Sequence, residues 1–198
     1  MGIEKALRDY KKLAYNVSLL IEGDEESGSI GLESFCKQKL TDKFFKAIII
    51  HDSHWPAENP IIFLGNRGQM SIKFMCDKSN MQGNLHAGNY GGKIKGAARE
   101  LLEMLIIILG KIDNIIRGNN ISDDEFTNAI SLTYFSSGDP IRSTIPKSAQ
   151  ANVDIRFIDK DVAKQIEALL RNFKDLHDIE YEIVQYEEPY YNEPDHIF

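Results

Sequence analysis

The sequence predicts an α+β fold in two parts: a short α/β piece followed by a larger domain of sheet and helices. Three observations predict it. Two short apolar runs, residues 16–21 and 47–50, bracket a helical stretch near the start. A long segment, 94–116, carries Leu101, Met104, Leu105, Ile108 and Ile112 at three- and four-residue steps, the spacing of one helix face. Further short apolar segments precede and follow that helix.

Residues 3–12 have helical composition, with Leu7 and Tyr10 on a shared face. Residues 16–21 (Asn-Val-Ser-Leu-Leu-Ile), closed by Glu22-Gly23, suit a buried strand. Ser29 is placed to N-cap a helix through Leu32, Phe35 and Cys36 to about Leu40. Residues 47–50 are continuously apolar and mostly β-branched, as a central parallel strand requires. A right-handed crossover between two such strands puts their C-terminal ends on one rim, where open α/β sheets bind ligands. Two strands and two helices cannot cover both faces of a parallel sheet, so this piece reads as incomplete and the chain as the middle of a larger protein.

After Pro56 the pattern changes. Residues 61–64 and 70–74 read as extended around Gly65-Asn66-Arg67-Gly68, and a Gly-rich stretch, 88–92, leads into the long helix. Gly118 followed by Asn119-Asn120 ends that helix, because both residue types tolerate a left-handed cap. Residues 130–135 and 149–157 read as strands, 161–173 as an amphipathic helix and 179–186 as an alternating strand. The order is β-α-β-β-α-β, which is ferredoxin-like. The expected domains are a partial α/β parallel-sheet domain over 1–58, the ferredoxin-like domain over 59–186, and a return segment, 187–198, leading back toward the first.

Composition narrows the function. The 198 residues hold 23 Lys+Arg and 30 Asp+Glu, a net charge of −7, which argues against wholesale binding to nucleic-acid backbone. Two cysteines, Cys36 and Cys76, make no disulfide framework and point to a reducing, cytoplasmic setting. The N-terminus is charged throughout, and the most apolar run, 101–109, is short and broken by Glu103, so no membrane segment is expected.

Four clusters carry candidate chemistry. Glu22-Gly23-Asp24-Glu25-Glu26-Ser27-Gly28 offers paired carboxylates, one to hold a metal and one to take a proton from water; it is equally what a solvated acidic turn before a helix looks like. His51-Asp52-Ser53-His54-Trp55 follows the second run with metal-ligand residue types, or forms an ordinary polar loop anchored by Trp55. His86, heading Ala87-Gly88-Asn89-Tyr90-Gly91-Gly92, could donate to a developing oxyanion or merely sit on a flexible turn. Arg156, inside the apolar strand of Val153, Ile155 and Phe157, and the earlier Arg142-Ser143-Thr144 could grip a substrate carboxylate, or Arg156 could be an outward residue of a half-exposed sheet.

In this order the pieces resemble the M20 family of dinuclear zinc metallopeptidases and deacylases, closest to its dipeptidase, carnosinase-like branch. The matching segments are Leu20-Ile21-Glu22-Gly23-Asp24-Glu25-Glu26-Ser27-Gly28-Ser29, Asp52 with Trp55, Gly65-Asn66-Arg67-Gly68, Leu85-His86 with Gly88 and Gly91-Gly92, and Ile145-Pro146 through Arg156. The resemblance implies a hydrolase of dipeptides or N-acyl amino acids. Glu25 would be the general base, Glu26 a ligand to one zinc and Asp52 a ligand to the other, with manganese an alternative metal. His86 would reach across a homodimer to the partner's oxyanion, and Arg156, with Ser143, would bind the substrate's carboxylate end. Residues 59–186 would be the lid or dimerisation domain.

The family's early His-x-Asp motif, its bridging Asp and its late metal-binding His are absent from these 198 residues, and Asn84 and Ala87 stand where Asp and Ser are commoner. The chain is therefore expected to be inactive by itself. The competing expectation is a non-catalytic dimerisation or small-ligand-binding module.

Overall fold

The computed structural model describes residues 2–50, 63–119, 127–138, 143–174 and 179–193. The chain divides into two compact units, Met1–Ser53 and His54–Phe198.

In the second unit the alternation of β2 (Gly68–Asp77) and β4 (Ser148–Phe157) decides the architecture. Met70, Ile72, Phe74 and Cys76 from β2, and Ala149, Ala151, Val153, Ile155 and Phe157 from β4, are all buried on one face of the sheet. The two strands pair antiparallel from Gly68–Phe157 to Asp77–Ser148. The edges are β3 (Ala129–Ser137) beside β4 and β5 (Glu180–Glu187) beside β2, giving the spatial order β3-β4-β2-β5. Each edge strand carries an irregularity, between Leu132 and Tyr134 in β3 and opposite Ser71–Ile72 in β5.

Two helices cover the buried face. In α4 (Ala97–Gly118) Leu101, Met104, Leu105, Ile108, Ile112 and Ile116 turn inward, and in α5 (Lys160–Lys174) Val162, Ala163, Ile166 and Leu170 do so. Both stripes join the strand residues in one core. The element order is the expected β-α-β-β-α-β. The end of α4 differs in detail: Asn119 caps it at φ −113°, outside the left-handed region, and its side-chain amide donates to the Ile115 carbonyl at 2.7 Å. A two-stranded ribbon, β1 (Gly65–Asn66) with β6 (Tyr190–Tyr191), ties the end of the unit to its beginning. Asn192 N–H donates to the Leu64 carbonyl at 2.6 Å.

The first unit departs from expectation. It holds α1 (Gly2–Tyr10), a 3₁₀ turn (Glu25–Ser27) and α2 (Leu32–Lys39), and among its described residues no strand. Both apolar runs stand in water: Leu19 is 75% exposed, Ile21 88% and Ile49 91%. The reason is physical. A parallel strand needs hydrogen-bonding neighbours and cover on both faces, and the described residues of this unit supply neither. Ser29 is not the cap of α2 either. It adopts φ 52°, its carbonyl accepts from Leu32 N–H, and Gly31 takes the cap position.

Candidate functional site

The acidic turn is built by its backbone. Ser27 and Ser29 N–H both donate to the Asp24 carbonyl, and Gly28 N–H donates to Glu25 O at 2.9 Å. Gly28 closes the turn at φ 93°, a conformation that a side chain would strain. Glu25 is exposed on this turn, and one carboxylate oxygen of Glu22 is enclosed without a hydrogen-bond partner. The Glu26 backbone belongs to the same turn, while its side chain lies outside what the structure describes, as do His51, Asp52 and His54.

Among the described residues no three His, Cys, Asp or Glu side chains gather to hold an ion. A catalytic zinc takes three protein ligands, commonly with imidazole among them, and the acidic turn offers carboxylates alone.

His86 is fixed from two sides. It forms an isolated antiparallel bridge with Thr144, flanked by Ala87 N–H to the Ser143 carbonyl (2.7 Å) and Ile145 N–H to the Leu85 carbonyl (2.9 Å). On the other side it N-caps the short helix α3 (Ala87–Tyr90), its Nδ1 accepting from Gly88 N–H at 3.1 Å. The Ser143 segment continues onto α4, where Ala97 N–H donates to the Pro146 carbonyl at 2.9 Å. His86 and Ser143 therefore occupy one corner of the second unit. No periodic pattern in the sequence announces that pairing, because both segments are irregular.

Arg156 lies on the open face of the sheet, the one without helices. It is eight residues along β4 from Ser148, about 26 Å at strand rise, toward the end where Gly68 pairs with Phe157. Ser143 joins β4 at the opposite end. The sequence reading missed the groups that surround Arg156. Its Nε stands 3.1 Å from Asp154 Oδ2, and Asp154 Oδ1 accepts from Ser71 Oγ (2.8 Å) and Gln69 Nε2 (3.0 Å). Gln69 also reaches Gln185, which donates to Glu187. The alternation of β4 was the available signal, since it places Asn152, Asp154 and Arg156 on one face. On that face the Tyr134 phenol is held below its usual pKa, first by hydrogen bonding with Ser136, then with Gln150, with Lys73 adding its charge.

The comparisons with known proteins agree with this architecture. The peptidase dimerisation domain family, M20, matches residues 64–182. The human Beta-Ala-His dipeptidase is 33% identical over 97 residues, which are 47% of this chain and 18% of that protein. The Cys-Gly metallodipeptidase of Candida albicans is 28% identical over 107 residues, 51% of this chain and 22% of that one. The matched segments thus span about a fifth of the length of these relatives. In structure it resembles an M20 family metallo-carboxypeptidase from Sulfolobus solfataricus, with a TM-score of 0.64 at 19% identity, covering 94% of this chain and 53% of that one. It also resembles human carnosine dipeptidase 1, with a TM-score of 0.55 at 17% identity, covering 97% of this chain and 52% of that one. Residues 64–182 hold β2, β3, β4, the first three residues of β5 and both covering helices, and on that match the chain belongs to the M20 peptidase dimerisation-domain family.

Proposed function

We propose that this chain is the lid and part of the catalytic domain of a hydrolase that cleaves peptide bonds of dipeptides or amide bonds of N-acyl amino acids. One coincidence carries the reading: the residues that the peptidase family matches build most of the two-layer unit. In this reading Glu25 is the general base that takes a proton from the attacking water. Glu26 and Asp52 are metal ligands of the intact protein, each to a different zinc, with partners from outside these 198 residues. His86 donates to the oxyanion of a substrate held by the other subunit, Arg156 binds the substrate's carboxylate end, and Ser143 lines the substrate site. The protein works in the cytoplasm. No helix among its described residues is long and apolar enough to cross a membrane.

The same reading makes the protein a homodimer through this unit. The two sheet edges are not equivalent. β5 carries Glu180, Glu182 and Glu187, charges that guard an edge, whereas β3 (Ala-Ile-Ser-Leu-Thr-Tyr-Phe-Ser-Ser) carries none. Beyond its buried stripe α4 also exposes Leu102, Ile106 and Ile107, with Ile106 73% exposed. Edge β3 and this second stripe of α4 are the surface on which two copies associate.

The decisive experiment is turnover of simple dipeptides and N-acetyl amino acids by the intact protein that carries this sequence. Glu25→Ala is expected to lower turnover by about a hundred- to ten-thousand-fold with the melting temperature unchanged. Retained turnover would reject Glu25 as the base.

A further inference from the structure

We propose that Gly88 is a positioning residue for His86, holding the neutral imidazole in the tautomer with its proton on Nε2 so that the ring offers one donor to a ligand oxygen. The proposal deepens the oxyanion role given to His86 above and rests on that reading for its purpose.

Two independent observations carry it. The first is the hydrogen bond from Gly88 N–H to Nδ1 at 3.1 Å. An amide N–H can donate only to a ring nitrogen that bears a lone pair, so Nδ1 is the unprotonated nitrogen and the proton of the neutral ring sits on Nε2. Nε2 lies across the ring from Nδ1, so a bond that ties Nδ1 to α3 turns Nε2–H away from that helix. Among the described residues no hydrogen bond reaches Nε2, and His86 is exposed.

The second is the missing side chain at 88. A Cβ there would stand 3.1 Å from Cε1 and 3.2 Å from Nδ1 of His86, tighter than ordinary van der Waals contact. The backbone does not demand glycine at this position, because the glycines with positive φ are Gly28, Gly83, Gly92 and Gly138. What the absent side chain spares is the seat of the imidazole over the amide. The bridge to Thr144 and the bond from Ala87 N–H to Ser143 hold the His86 backbone from the opposite side, so ring and backbone are both fixed.

The test is ¹⁵N NMR of the imidazole rings of the full 198-residue chain at about pH 8.5, two units above an ordinary histidine pKa. The chain has five histidines, and His86→Gln identifies the signal by its loss. The expected spectrum shows Nδ1 at the unprotonated extreme and Nε2 at the protonated one. Gly88→Ala should move both signals toward the average of interchanging tautomers, the state of a free imidazole, with circular dichroism unchanged. Gly110→Ala is the control, since a Cβ there meets nothing within 4 Å, and it should leave the pattern alone. A proton on Nδ1 in the unmodified chain, or an unchanged spectrum in Gly88→Ala, overturns the proposal. The catalytic reading fails separately: full turnover of the intact protein with His86→Ala would remove the oxyanion role while the tautomer result stood.

Discussion

Arg156 Nε stands 3.1 Å from Oδ2 of Asp154, two residues earlier on the same face of β4. The contact does more than pair two charges. Asp154 Oδ1 is already taken by Ser71 and Gln69 of the neighbouring strand, so Asp154 stitches β2 to β4 and steadies the guanidinium with its remaining oxygen. Both side chains keep some exposure, 40% for Arg156 and 23% for Asp154, so the ion pair alone is worth little. Asp154→Ala also strands two donors, and should cost about 1–2 kcal/mol in urea denaturation. Asp154→Asn keeps an acceptor and should cost about half as much. Equal losses in the two variants would show that charge, not hydrogen-bond geometry, holds this face together.

The two units predict opposite responses to the same kind of truncation. Ile72 is fully buried between the sheet and its helices, and Ile72→Ala should cost about 2–5 kcal/mol. Ile49, 91% exposed, touches too little to matter, and Ile49→Ala should stay within about 0.5 kcal/mol. Thermal melts of the two variants of this chain decide it. A large loss in Ile49→Ala would restore the strand that the sequence suggested at 47–50.

That contrast explains what was legible. In the second unit the chain contains both partners of each burial: Val153 alternates into a core that Leu101 and Ile166 close from above, so period and packing agree. In the first unit the composition of residues 16–21 and 47–50 is a strand's, but a strand is a relationship, and no neighbouring strand lies among that unit's described residues. Ser29 failed as a cap for a local reason: Gly28 at φ 93° and Ser29 at φ 52° form a tight turn, which moves the start of α2 to Leu32. The turns that carry Glu25 and His86 were readable from residue type and neighbours. The Thr144 bridge beside His86 was not, because it joins two irregular segments 58 residues apart (144 − 86).

If two copies meet on β3 and α4, a charge in the middle of the α4 stripe must be buried without a partner. Ile106→Glu in the 198-residue chain should therefore weaken association more than tenfold, since an unpaired buried charge costs several kcal/mol. Light scattering should fall from 45 kDa, twice 22.5 kDa, to the single-chain mass. Glu182→Lys on the far edge should leave the mass of the assembly unchanged. A dimer that survives Ile106→Glu and dissociates in Glu182→Lys would move the interface to β5.

Metal addition tests what the chain holds alone. The acidic turn supplies carboxylates, and no set of three metal-ligating side chains gathers among the described residues. Zinc prefers sites that add imidazole or thiolate, and a folded structural site gains about 10–16 kcal/mol on binding. Calorimetric titration of zinc into the 198-residue chain should consequently show weak heats without a tight two-ion isotherm, and a chelator should leave its melting temperature in place. On the proposed function, the whole protein should bind two metals and lose turnover on chelation. Tight binding of two ions by the short chain would mean that the ligands of both lie within it, and Asp52→Ala and Glu26→Ala would then each remove one ion from the isotherm.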